Sequence, residues 1–269
     1  MRRSARSDMS FVESGAIRYY RFELLEELGV IQAIFTRRGG VSQKPFDSLN
    51  VGGTIGDEVE RVRTNRRLSF AAVGRGVDTL YDVWQVHSSA VVCADMPRPA
   101  SAPHLKADVL LTDRPQVTLF MRFADCVPIF LVDPVRRVIG IAHAGWKGTV
   151  QWVARGAVYA MKARYGCCSE DIYAGIGPSI GVDHYPIGPD VASQVRSAFG
   201  QDAGALLLQA DGRVHFDLWA ANRFALEEAG VRHIQVAELC TACHTDDWYS
   251  HRGEGGKTGR FGALLALTD

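Results

Sequence analysis

Cys126 and His143 flank two apolar runs, "VPIFLVD" (127–133) and "VIGIAHA" (138–144), which "PVRR" joins. Asp-Pro initiates turns, so the runs are expected to form an antiparallel hairpin with Asp133 opposite Val138. That register sets His143 opposite Pro128, with Cys126 two residues further along the same strand. Side chains alternate with period two, so the thiol and the imidazole share a face. Diagonal neighbours of this kind lie about 7–8 Å apart at the backbone, with Cβ atoms somewhat nearer. One metal ion spans such a gap, through bonds of about 2.3 Å to sulfur and about 2.0–2.1 Å to nitrogen. A slip of one residue would send the two groups to opposite faces.

His87, in "WQVHSS" (84–89), is the third candidate ligand. One Cys with two His leaves a fourth position open, the pattern of catalytic rather than structural zinc. Such an ion activates water or polarises a substrate oxygen. Gly145 and Gly148 permit unusual backbone angles just before a helix expected to be capped by Thr149, so backbone N–H groups can face an anion beside His143. The Cys126–His143 pair equally fits a metal-free nucleophile and base. The residues alone leave both chemistries open.

Other elements must hold this hairpin. Apolar, β-branched runs at 30–36, 89–95, 108–112, 117–123, 172–177 and 233–239 read as further strands. One helix is expected from Asp57, with Val59, Val62 and Leu68 inward. A second runs from Thr149 to Gly166, burying Val150, Val153, Ala157 and Met161. Two more run from Pro189 to Gly200 and from Asp217 to Gly230. Strands cluster before the longest helices instead of alternating with them, which points to a mixed or antiparallel α+β fold. No repeat, low-complexity tract or linker divides the chain, so one domain over 1–269 is expected, with residues 1–10 as a flexible tail.

Lys plus Arg and Asp plus Glu number 30 each, so the formal net charge is zero. That balance favours neither a nucleic-acid partner nor an anionic membrane surface. No apolar run reaches the roughly 18 residues of a membrane span. "MRRSARSDMSF" has no apolar stretch behind its arginines and does not read as a secretory signal. The six cysteines are therefore expected to be reduced thiols in a cytoplasmic protein. No association helix stands out, and a monomer is expected.

"FTRRGGVSQKPFDSLNVG" (35–52), "QVH" (85–87), "FADCVPIFLVDP" (123–134), "HAGWKGT" (143–149), "GIGPSIG" (175–181), "CTAC" (240–243) and "SHRGEGGKTGR" (250–260) together resemble the bacterial laccase-domain family. That family has been described both as multicopper polyphenol oxidoreductases and as zinc-dependent purine nucleoside phosphorylases with adenosine deaminase activity. The resemblance implies a four-layer α/β/β/α mixed-sheet sandwich, cysteine hydrolase-like in fold. It also implies that His87, Cys126 and His143 are the metal ligands and carry the catalysis. Zinc is the expected ion, with copper as the alternative, because eight scattered histidines make a poor case for a trinuclear copper cluster. Met121 is the nearby thioether that a mononuclear copper site would call on.

On this reading the substrates are a purine nucleoside and phosphate. Arg37, Arg38 and Arg252 are candidates for phosphate contact. Asn50 and Gln85 are candidates for ribose or base edges, and Asp125 is a lesser candidate for moving protons. Polyphenol oxidation and hydrolysis of a peptidoglycan precursor by Cys126 are the competing activities. The chain departs from the family in two places: it reads "VDHY" (182–185) where relatives often carry a cysteine shortly before the tyrosine, and "SHRGEG" where "SHRRDG" is commoner.

Three other motifs carry no chemistry of their own. "GGKT" (255–258) lacks the first phosphate-loop glycine, whose place His251 takes. "GIGPSIG" has Ile180 at a required glycine of the dinucleotide fingerprint. "CTACH" spells a haem attachment site, but without an export signal free thiols or a minor metal site are expected.

Overall fold

Two six-stranded sheets carry the structure, a computed structural model that describes residues 10–269. The first half of the chain runs β1 (Phe11–Ser14), β2 (Ile17–Tyr20), β3 (Val30–Phe35), α1 (Val59–Ala72), β4 (Leu80–Tyr81), β5 (Val91–Cys93), β6 (Val109–Thr112), β7 (Thr118–Phe123), β8 (Val127–Asp133) and β9 (Val138–Ala144). The second half runs α2 (Trp146–Val150), α3 (Val153–Tyr165), β10 (Tyr173–Ile176), β11 (Pro186–Ile187), α4 (Pro189–Phe199), α5 (Ala203–Leu206), β12 (Leu207–Ala210), β13 (Arg213–Phe216), α6 (Leu218–Glu228), β14 (His233–Val236) and β15 (Phe261–Leu267). Strand order is β1-β2-β3-β15-β7-β4 in one sheet and β14-β10-β8-β9-β6-β5 in the other, and β11-β13-β12 make a small third sheet. Pairing is mostly antiparallel; β4 with β7, β5 with β6 and β10 with β14 are parallel. The fold is thus mixed α+β.

Period-two alternation assigns each strand face to a layer. Phe130, Val132, Ile139 and Ile141 of β8 and β9 share one core with Met121, Phe123, Phe261 and Leu265 of the other sheet. Their alternating neighbours Ile129, Leu131, Val138 and Ala142 share a second core with Val158 and Met161 of α3 and Ala221 and Leu226 of α6. Phe70 of α1 packs with Phe120 and Leu264 in a third. Strands covered on both faces read as unbroken apolar runs for this reason.

The hairpin forms in the expected register, Asp133 opposite Val138 and Pro128 opposite His143. Asp133 closes its turn by accepting hydrogen bonds from the Val135 and Arg136 amides, both at 2.9 Å. Asp217 caps α6 by accepting from the Ala220 amide at 2.9 Å, and Gly166 ends α3 at a left-handed φ of 69°.

Other local expectations need correction. The helix expected from Thr149 is broken in two, with Trp152 at φ 60° between α2 and α3. Gly145, not Thr149, is the N-terminal boundary of α2, and the Thr149 hydroxyl instead accepts a hydrogen bond from Asn222. Asp57 does not cap α1; its carboxylate holds Ser42 and Asn50, and Val59 is exposed. The strand β15 was not expected from the sequence, yet it pairs with both β3 and β7. The tail expected over residues 1–10 lies outside the described residues except for Ser10, which is buried and accepts a hydrogen bond from the Arg21 amide. Among the described residues no helix is long and apolar enough to cross a membrane.

Replacing Asp217 by alanine removes the only side-chain cap of α6 and is expected to cost about 1 kcal/mol, read as a lower urea midpoint at unchanged m-value.

Candidate metal centre

The ligand atoms of His87, Cys126 and His143 all lie within 4.8 Å of one another. Cys126 immediately precedes β8 and His143 sits near the end of β9, so the hairpin brings both to the layer between the sheets. His87 comes from the loop before β5, with its ring centroid 4.9 Å from that of His143. Its backbone is left-handed at φ 59°, a conformation that costs a non-glycine residue roughly 1–3 kcal/mol.

Asp108 holds that conformation. Its fully buried carboxylate accepts hydrogen bonds from the amides of Val86 (3.2 Å), His87 (3.0 Å) and Ser88 (2.6 Å) and from the Ser88 hydroxyl (2.8 Å). Its Oδ1 also lies 2.8 Å from His143 Nδ1, which leaves Nε2 as the free ring nitrogen of His143. A carboxylate behind a ligating histidine is the arrangement that fixes tautomer and ring direction at metal sites. Burial alone would raise the Asp108 pKa, but the bonds from His143 and Ser88 hold it down at about 2.

Charge is shared between the two hairpin ligands. Burial alone would raise the Cys126 thiol, whereas His143 and His87 bring it down to about 6. Burial alone would lower His143, whereas the Cys126 charge and the Asp108 bond raise it to about 9. Without metal, the pair is therefore thiolate and imidazolium between those limits. A thiolate with two imidazoles suits a divalent ion of borderline softness. The surroundings fit one too, because a Cβ on Gly145 would come within 2.9 Å of Cys126 Sγ and 3.0 Å of His87 Cδ2.

A cavity of about 410 Å³ opens on the three ligands, with Trp84, Gln85, Arg122, His251 and Arg260 on its walls. A smaller one of about 240 Å³ touches His87 and Cys126 from the side of Lys147 and Tyr185. Gln85 reaches the larger cavity while exchanging hydrogen bonds with the Arg122 backbone. Asn50 is fully buried; it orients Gly52 and Arg260 through its Oδ1, at 2.9 Å from each amide. Arg37 and Arg38 line a separate depression. There Arg37 pairs with Glu254 at 3.0 Å and Arg38 with Asp247 at 2.7 Å. Arg252 lies over the Tyr185 ring and donates to the Pro186 carbonyl at 3.0 Å. Met121 is buried in the core between the sheets. Asp125 lines the smaller cavity, but its oxygens are taken by the Thr241 and Ser250 hydroxyls, both at 2.7 Å, and by the Arg252 amide at 2.6 Å.

Sequence reasoning passed over Asp108, Arg122, Arg260, His251 and Lys147. The last three lie inside the motifs "SHRGEGGKTGR" and "HAGWKGT" and were within reach. A lone acid opening the apolar run "DVLLT" was the signal for Asp108.

Two outcomes follow from this geometry. In metal-free protein, Cys126 alkylation should rise through a midpoint near pH 6, because the thiolate forms above the lowered pKa, and stoichiometric zinc should block it. Asp108→Asn should weaken zinc binding about 10–100-fold, measured by competition with a chromogenic chelator.

The sequence model of the family described as "Multi-copper polyphenol oxidoreductase laccase" matches residues 31–268. The chain is 40% identical over 240 residues to the purine nucleoside phosphorylase of Deinococcus radiodurans, covering 89% of this chain and 90% of that protein. It is 32% identical over 240 residues to adenosine deaminase RL5, from an unknown prokaryotic organism, covering 86% and 91%. The crystal structure of YfiH from Bacillus licheniformis matches with a TM-score of 0.89 at 34% identity, over 96% of this chain and 99% of that one. A family match spanning nearly the whole sequence, with a relative this similar, means that the chain belongs to the multi-copper polyphenol oxidoreductase laccase family.

Proposed function

We propose that the protein is a zinc-dependent purine nucleoside phosphorylase acting on inosine and adenosine, with adenosine deamination at the same centre. The observation that carries this reading is an open Cys/His/His centre facing a cavity with an unmatched cation. Arg260 donates to the Thr258 and Gly259 carbonyls at 3.0 and 2.8 Å, and among the described residues no carboxylate pairs with it. Arg122, by contrast, shares Asp82 with Arg66 and Arg98. The names of the Deinococcus relative and of RL5 support the two activities.

In phosphorolysis a phosphate oxygen bonds to the ribose C1′ while the C1′–N9 bond breaks. The electron pair leaves with the base, which takes up a proton, and ribose 1-phosphate remains. Arg260 binds the phosphate and Arg122 adds positive field. Trp84, half exposed on the cavity wall, offers a face for the purine. His251 is the titratable group of that wall outside the arginines and the ligands and is assigned the leaving base's proton. Held by His87, Cys126 and His143, zinc would supply a Lewis acid to an oxygen in the cavity. Neither Cys/His cluster among the described residues has more than two imidazoles, which supports one ion per cluster over a trinuclear copper site.

The thiolate–imidazolium character of Cys126 and His143 favours a second reading, a cysteine hydrolase. One assay separates the two: phosphate-dependent release of hypoxanthine from inosine, with metal content measured on the same sample. His87→Ala, Cys126→Ala and His143→Ala should each lose turnover together with the zinc of this centre, one equivalent fewer than wild type. Full turnover in all three would remove the proposed site, and activity that survives complete metal removal would assign the chemistry to the thiol. Arg260→Ala should raise the KM for phosphate about 10–100-fold, the worth of one charge-assisted hydrogen bond, with zinc content unchanged.

A further inference from the structure

A second cluster of soft ligands stands apart from the catalytic centre and shares no residue with it. His184, Cys240 and Cys243 have ligand atoms that all lie within 4.8 Å of one another. His184 Nδ1 is 3.8 Å from Cys240 Sγ and 3.5 Å from Cys243 Sγ. Bonds of about 2.3 and 2.0–2.1 Å at tetrahedral angles set a sulfur and a nitrogen about 3.6 Å apart. The observed separations straddle that value, and the ring presents the same nitrogen to both sulfurs. A single S–H···N bond would need only one of them.

The backbone is arranged around the sulfurs. Gly181 donates its amide to Cys240 Sγ at 3.2 Å, a bond that stabilises a thiolate. A Cβ at Gly181 would press within 3.1 Å of Cys240 Cβ. The His244 amide donates to the Cys240 carbonyl at 3.1 Å and closes the Cys-x-x-Cys turn. A bridge between Ser179 and Cys240 ties the two segments together, so His184 and the cysteines meet on a fixed frame.

We propose that His184, Cys240 and Cys243 form a second zinc site, distinct from the catalytic centre, that braces the cavity wall. Two thiolates neutralise the charge of a divalent ion, and each loses its proton on binding. His184 and Cys243 are exposed, so zinc enters from solvent and solvent completes the fourth position. The brace acts next to the chemistry, because Tyr185, the residue after His184, lines the smaller cavity with Cys126. Arg252 packs on that tyrosine from the segment following the cysteines.

The test is a titration of metal-depleted, reduced full-length protein with cobalt(II) alone, followed by its sulfur-to-cobalt charge-transfer absorption. Wild type should take up two equivalents. Cys243→Ser and His184→Ala, both substitutions at exposed positions, should each take up one equivalent fewer and lose the stronger, two-thiolate absorption. His143→Ala, run in parallel, should lose only the weaker, one-thiolate component, so failure of either centre is read independently. Uptake by Cys243→Ser and His184→Ala equal to that of wild type overturns the proposal.

Discussion

Asp108 is a buried carboxylate with five hydrogen-bond partners, and the geometry of the candidate metal centre depends on its being satisfied. An ionised group out of water is costly unless donors surround it. Here the donors are three consecutive amides, one hydroxyl and the ring of a ligand. Satisfying the charge therefore forces residues 86–88 into a tight nest and holds His87 in its left-handed backbone. One interaction positions two of the three candidate ligands, and it comes from the residue just before β6, a strand hydrogen-bonded directly to β9.

Asp125 plays the corresponding part on the other side of Cys126. It too is left-handed, at φ 81°, and its carboxylate gathers Thr241, Ser250 and the Arg252 amide. The C-terminal motif is thereby attached to the cysteine, although more than a hundred residues separate them in sequence. A base needs a free lone pair pointed at substrate. Asp125 spends its oxygens on neighbours, so its contribution is to position the thiol rather than to move a proton.

The hairpin was readable from sequence because its signals agree: a turn dipeptide, two apolar runs and a buried face that penalises any slip. The mixed α+β class followed from strand clustering, and the ends of α4 and α6 from proline, aspartate and glycine at fixed positions. The strand β15 was not readable. "FGALLAL" has none of the β-branched residues that mark a strand, and only its place between β3 and β7 makes it one. The break at Trp152 is equally tertiary: its ring packs at a tilt against Phe199, centroids 4.7 Å apart, and lies under the Arg155 guanidinium at 4.0 Å. For the site, residue types pointed to the three side chains that the fold brings together, but spacing carries no record of which arginines face the cavity. Arg37 and Arg260 look alike in sequence, and only the fold turns one toward Glu254 and the other toward the metal centre.

The location of the centre between the two sheets follows from the same packing. Phe123 packs against the His143 ring with centroids 5.3 Å apart and stacks on Phe261 at 5.9 Å, so the first sheet supports the imidazole from behind. Low-dielectric surroundings strengthen each charge interaction at the ligands. Crowding there explains a residue choice that backbone geometry does not. Gly145 has φ −76°, a value open to any residue, yet its missing Cβ is the space into which the Cys126 sulfur and the His87 ring converge. Alanine at that position would meet no torsional penalty and would still press on the Cys126 sulfur and the His87 ring, so the glycine serves the convergence of these side chains rather than the turn.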